Sequence, residues 1–124
     1  MNVRSHKAAQ AAFERVEQRK SQDNSANYRS IALDLPSMIM QYGLAQATGF
    51  LLAKGKSEHR ELLDDLASVM REAGDKDCKS GTDLHQRIIH SDVIRTMLLT
   101  RRSLEASAWI KRYVQAMMKP ENSI

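Results

Sequence analysis

Apolar residues recur at three- and four-residue spacings along most of this 124-residue chain, and only five glycines and two prolines interrupt them. That spacing is the signature of amphipathic helices. Turn formers are too scarce for the many tight turns of an all-β fold. Ala, Leu, Met, Gln, Glu, Lys and Arg, which favour helix, are common throughout. A chain of this length makes one domain, 1–124, with a core that buries roughly two-thirds of the unfolded surface.

The first predicted helix covers residues 4–21. Its apolar stripe is Ala8, Ala9, Ala12, Phe13 and Val16, with Arg15 and Arg19 four apart on an exposed side beside Lys20. A polar loop spans 21–27. Tyr28, Ile31, Leu35, Met38, Ile39 and Tyr42 then recur at helical spacing. Pro36 either kinks this helix or starts a new one. Gly43 suits a left-handed C-cap. Residues 44–54 are short and apolar, which predicts deep burial before Gly55 ends them.

Ser57 reads as an N-cap, with Glu58 and Glu61 at the positive helix end. Leu62, Leu63, Leu66, Val69, Met70 and Ala73 mark an amphipathic helix that Gly74 stops. A charged loop runs from Asp75 to Gly81. Thr82 or Asp83 caps a helix over 83–90, and Asp83 with Gln86 has capping-box spacing. Ser91 or Asp92 caps the last helix, which extends to about Met118 before Pro120. Val93, Ile94, Met97, Leu98, Leu104, Ala108, Trp109, Tyr113 and Met117 mark its expected buried side. The expected fold is all-α: a compact bundle of about five to six helices with a long C-terminal helix.

Catalytic patterns are missing. There is no glycine-rich phosphate loop, no Cys–His pair and no two-His metal helix. His85 and His90 are five apart and fall on different helix faces. Asp75 to Asp83 has the acids of a calcium loop, but Lys79 occupies a ligand slot and the glycine is misplaced. Asp64 and Asp65 diverge by about 100° on a helix and read as a solvated face. No catalytic residue, metal ligand, cofactor or small-molecule substrate is expected. The single cysteine, Cys78, excludes an internal disulfide and fits a reducing interior. No apolar run approaches about 18 residues, so no membrane span is expected. The start of the chain does not read as a secretory signal.

The net charge of +4 is unevenly spread. Residues 1–20 carry five bases against Glu14 and Glu17, and 84–119 carry seven bases against Asp92 and Glu105. Residues 57–83 hold eight acids against four bases, and Glu121 lowers the charge of the tail. Two readings fit: ordinary solvated helix faces, or a surface for an anionic partner. On the last helix, Arg95 and Arg102 share one row, and Arg101 and Arg112 an adjacent one. With Arg15, Arg19 and Lys20, these rows can form a groove that neutralises phosphates. Most methionines read as core filling, with Met40 and the Met117–Met118 pair as candidates for a partner interface.

One stretch carries a resemblance. Tyr28 is followed by Leu35-Pro36-Ser37-Met38-Ile39, then Gly43-Leu44, then Phe50-Leu51-Leu52 near Lys54. Near the C-terminus comes Arg101-Arg102-Ser103-Leu104-Glu105-Ala106-Ser107-Ala108-Trp109-Ile110-Lys111-Arg112-Tyr113. Together these resemble the small helical subunit, the fifth Cmr subunit family, of Cmr-type (type III-B) CRISPR effector complexes, over nearly the whole chain. Tyr42 departs from the Asn that the family often places before Gly-Leu.

The resemblance implies a cytoplasmic, non-catalytic helical bundle that stacks on copies of itself and on other Cmr subunits. The assembly pairs a guide RNA with target RNA, and other subunits cleave. The small subunit is expected to steady the duplex by backbone contacts, with base pairing reading the sequence. The residues expected at RNA come from charge: Arg15, Arg19, Lys20, Lys54, Lys56, Arg95, Arg101, Arg102 and Arg112. Two other classes remain open. One is a protein-only scaffold in which the acidic 57–75 helix meets basic ends of neighbouring copies. The other is a helix-turn-helix DNA regulator over 83–102, which lacks Asn or Gln base readers early in its second helix.

Overall fold

A computed structural model describes residues 2–120. Six helices account for most of them: α1 (Val3–Arg19), α2 (Ser25–Tyr42), α3 (Leu44–Lys54), α4 (Ser57–Glu72), α5 (Gly81–Ile89) and α6 (Val93–Met117). The fold is the expected all-α bundle with a long C-terminal helix. Glu121 lies outside the described residues.

Helix α4 is the hub, in contact with each of the other five. Its sequence explains why. Leu62, Leu63, Leu66, Ala67, Val69 and Met70 cover more than one face, so neighbours can pack on several sides. Burying each of the large side chains contributes about 1.5–3 kcal/mol. Long α6 forms the second axis, with α1 and α2 packed along it. The core between them holds Val16, Tyr28, Leu35, Ile39, Leu99, Ile110 and Val114.

Several local features differ from these expectations. Helix α2 begins at Ser25, inside the expected loop, and runs uninterrupted through Pro36. Pro36 offers no N–H to the carbonyl a turn earlier, yet buried Leu35 and Ile39 hold the helix on the core. Gly43 has φ +88° but an extended ψ of 157°, so it turns the chain from α2 into α3 without a left-handed cap. The left-handed cap is Gly55, at φ 65° and ψ 4°. Helix α3 buries Leu44, Ala47, Thr48 and Leu51 but leaves Phe50 partly exposed, so its burial is one-sided.

The caps also differ. Lys56, not Ser57, occupies the N-cap position of α4. Ser80 caps α5, its side chain accepting from the Asp83 N–H at 3.1 Å. Asp92 caps α6 as expected, accepting from the Arg95 N–H at 2.8 Å. The charged loop before α5 is tied down: Asp75 and Cys78 are buried within it. Gly81 is needed there, since a Cβ would sit 2.6 Å from Leu63 Cγ and 2.8 Å from Asp64 Oδ1. The missing side chain lets the Gly81 N–H reach Asp64 Oδ1 at 2.8 Å and seats α5 against α4.

The largest correction concerns α6. Its buried face is Leu99, Ser103, Ala106, Ser107, Ile110 and Val114. Val93, Ile94, Met97 and Ala108, expected on the core, face solvent. Small residues on the inner face let α6 approach its neighbours closely. Val93, Ile94 and Met97, in its first turns, lie off that inner face, whereas Leu99 is on it.

Candidate nucleic-acid interface

The nine basic residues singled out from charge separate into two groups. Arg15, Arg19 and Arg102 are engaged in internal ion pairs. Asp65 of α4 is fully buried and accepts four hydrogen bonds. Arg15 Nε donates to Oδ1 at 2.8 Å. Arg19 donates from Nε to Oδ2 at 2.9 Å and from Nη2 to Oδ1 at 2.8 Å. The Tyr28 hydroxyl donates to Oδ2 at 2.6 Å. Arg19 also lies 3.5 Å from Glu61 and keeps only 12% of its side chain exposed.

These contacts fix the protonation states. The Asp65 hydrogen bond raises the Arg19 pKa further above its already high ordinary value. Burial, reinforced by the Asp65 charge, raises that of Tyr28, so the phenol stays a donor. A buried carboxylate needs this pairing to offset its lost hydration. Arg15 and Arg19 therefore do not lie on a free face as expected, and Asp65 is not solvated. Sequence carried a signal for this: Asp65 falls on the stripe of Leu62, Leu66 and Val69. A carboxylate in an apolar stripe requires a buried cation.

A second clamp sits at the other end of α4. Arg4 pairs with Asp75 at 2.6 Å and donates to the Ala73 carbonyl at 2.7 Å. Arg102 pairs with the other Asp75 oxygen. The expected row of Arg95 and Arg102 is thus divided, because Arg102 turns inward. The acidic middle of the chain is likewise used internally, with Glu61, Asp65 and Asp75 all facing arginines. Asp64, Glu72 and Asp77 of the same region stay exposed.

The other six bases face outward. Lys20 makes only a 3.9 Å contact with exposed Glu17. Lys54 lies 5.7 Å from the centroid of the Phe50 ring, and Lys56 is exposed at the start of α4. Arg95, Arg101 and Arg112 are exposed and make no ion pair among the described residues. Arg101 and Arg112 fall within about 20° of each other on the helix and are separated by roughly 16 Å along it. The one carboxylate of α6, Glu105, accepts from the Ser5 hydroxyl at 2.7 Å. Arg95 points elsewhere, into a hollow it shares with Arg87 and His90.

Among the described residues, no group of three or more His, Cys, Asp or Glu is placed to hold a metal. No helix among them is long and apolar enough to cross a membrane. The α5–α6 pair has the short connection of a helix-turn-helix, but its Arg102 is spent on Asp75.

Taken together, the fold and this surface define a helical bundle whose longest helix presents cations outward that make no ion pair among the described residues. Comparison with known proteins identifies it further. Residues 4–117 match the family described as CRISPR-associated protein (Cas_Cmr5), and the chain belongs to that family. It is 34% identical, over 119 residues, to the CRISPR system Cmr subunit Cmr5 of Thermus thermophilus, covering 96% of this chain and 99% of that protein. The crystal structure of a CRISPR-associated Cmr5 family protein from Thermus thermophilus superposes with a TM-score of 0.86 at 34% identity, over 96% of this chain and all of that one. The chain is accordingly a Cmr5-type subunit of a CRISPR Cmr complex.

Proposed function

We propose that this subunit is non-catalytic and steadies the pairing of guide RNA with target RNA inside a cytoplasmic Cmr complex. It does so by touching RNA backbone while stacking on neighbouring subunits and on copies of itself. The observation that carries this reading is the outward face of α6, where Arg101 and Arg112 stand exposed and unpaired among the described residues. Arginine donates to phosphate oxygens in a bidentate fork, and such contacts are independent of base sequence. Lys20, Lys54, Lys56 and Arg95 are the further candidates. Arg15, Arg19 and Arg102 serve the bundle instead.

The test is retention of target RNA by the reconstituted complex across a salt series. Arg101→Glu with Arg112→Glu is expected to weaken retention equally for unrelated guide–target pairs, with a salt slope shallower by about 2. Unchanged retention in a fully assembled complex would overturn the RNA contact. It would leave the protein-only scaffold, which the exposed apolar residues Met40, Tyr42 and Met97 also support.

A further inference from the structure

Helices α2 and α3 meet at Gly43, whose φ of +88° and extended ψ turn the chain between them. Beside this turn each helix carries a row at four-residue spacing. On α2 the row is Met38 and Tyr42, with Gln41 next to them. On α3 it is Gln46 and Phe50, and Lys54 continues it. Met38, Gln41, Tyr42, Gln46 and Phe50 line a groove of about 610 Å³. That size falls within the roughly 300–1,000 Å³ of small-ligand sites. Met38 packs against the core, whereas both glutamines are exposed. Tyr42 is 65% exposed and Phe50 39%. Buried His59 holds the Phe50 ring, with centroids 5.9 Å apart at 65°.

The α3 end of the groove opens on cations. The Lys54 ammonium lies 5.7 Å from the centroid of the Phe50 ring. Arg60 reaches back to the end of α3, where a Cβ on Gly55 would lie 3.9 Å from its Nη2. Lys54, Lys56 and Arg60 are exposed and make no ion pair among the described residues, while Glu58 between them is buried.

These groups match the parts of a nucleotide. Aromatic rings give an unstacked base a face to stack on. An amide offers both a donor and an acceptor to the edge of a base. Cations at the mouth suit the phosphates that a nucleotide brings. An apolar partner helix would match the rings alone: it would bury both amides without partners and leave the cations unanswered.

We infer that this groove holds an unpaired nucleobase of single-stranded RNA against Tyr42 and Phe50, with its phosphates at Lys54 and Arg60. Every base has a π face, and an amide can turn to suit its edge, so the groove holds a base without reading its identity. The site rests on the RNA reading proposed above and adds a second kind of contact to it. Helix α6 touches backbone, whereas α2 and α3 capture a base that lies outside the guide–target duplex.

The test is a fluorescence titration of the full chain with a single-stranded RNA hexamer carrying a central 2-aminopurine, whose emission falls when it stacks. Tyr42 is exposed, and circular dichroism checks that its variants keep their helix content. Wild type is expected to quench the probe. Tyr42→Phe should bind like wild type, and Tyr42→Ala should bind about fivefold or more weakly at the same salt slope, since no phosphate contact is lost. Lys54→Ala with Arg60→Ala should make the slope shallower by about 1.4. A wild-type chain that leaves the probe unquenched, an affinity unchanged by Tyr42→Ala, or a fully abasic hexamer that competes as well as the intact one would overturn the base contact. A Tyr42→Ala chain that binds the hexamer like wild type but fails to enter the reconstituted complex would give the groove to a neighbouring protein instead. Target RNA retention by the Arg101→Glu, Arg112→Glu complex reports separately on the backbone reading: if it falls while the hexamer result is negative, only the base contact is removed.

Discussion

Tyr28 and Asp65 lie 37 positions apart in sequence, yet the phenol donates to the carboxylate over 2.6 Å in the centre of the molecule. This bond joins α2 to α4, and the two arginines on the same carboxylate bring in α1. Three helices therefore converge on one buried charge.

Removing that charge strands its partners. Asp65→Asn keeps the size of the side chain but leaves Arg15 and Arg19 without a counter-ion. Breaking a buried pair from one side costs about 3–5 kcal/mol. A fall of about 10–20 °C in thermal midpoint is expected by circular dichroism. Tyr28→Phe removes one hydrogen bond to a charged group and should cost less, about 1.5–3 kcal/mol. A midpoint for Asp65→Asn within a degree or two of wild type would contradict the clamp.

Arg101 and Arg102 are adjacent but should behave oppositely. Arg102→Ala leaves buried Asp75 with Arg4 alone. A loss of about 1.5–3 kcal/mol is expected in urea unfolding. Arg101→Ala removes an exposed, unpaired cation and should leave the urea midpoint where it is. Equal effects at the two positions would mean that α6 is rotated from the orientation described.

Gly81→Ala should destabilise even though glycine is usually the poorer helix residue. The added methyl would meet Leu63 Cγ at 2.6 Å and Asp64 Oδ1 at 2.8 Å, forcing α5 away from α4. Overpacking of this kind costs about 1–3 kcal/mol. Hydrogen exchange confined to α5 would rise first. Normal protection there would refute the close approach.

Alkaline pH should loosen the fold. Burial, helped by Asp75, pushes the Cys78 thiol up to about 11 from an ordinary 9.0. The neutral thiol is favoured in the folded chain, so its contribution is fully present below the unfolded value and is lost as pH rises through the folded one. Tyr28 shifts in the same direction. Urea midpoints should therefore fall between pH 9 and 11, and the fall should be shallower in Cys78→Ala. In the native state at pH 8, alkylation of Cys78 should wait on opening of the loop.

Much of the helix plan was legible in the sequence because apolar spacing and the Asp92 cap are local signals. What escaped it depends on distant partners. The rows on α6 were correctly spaced, but spacing could not say which row faced Asp75. Ser103, Ala106 and Ser107 form the inner face because small residues allow close packing, whereas Val93, Ile94 and Met97 look like core by hydropathy alone. The acid at position 65 sits on an apolar stripe and implied a buried cation. Which arginine answered it was decided by the antiparallel fit of α1 on α4.

That fit has a consequence for synthesis on the ribosome. Arg4 is tied to a residue 71 positions later, and Arg15 and Arg19 to one 50 and 46 positions later. Helix α1 thus leaves the ribosome well before either carboxylate exists. It must wait undocked, its alanine stripe uncovered, until α4 and then α6 have been made.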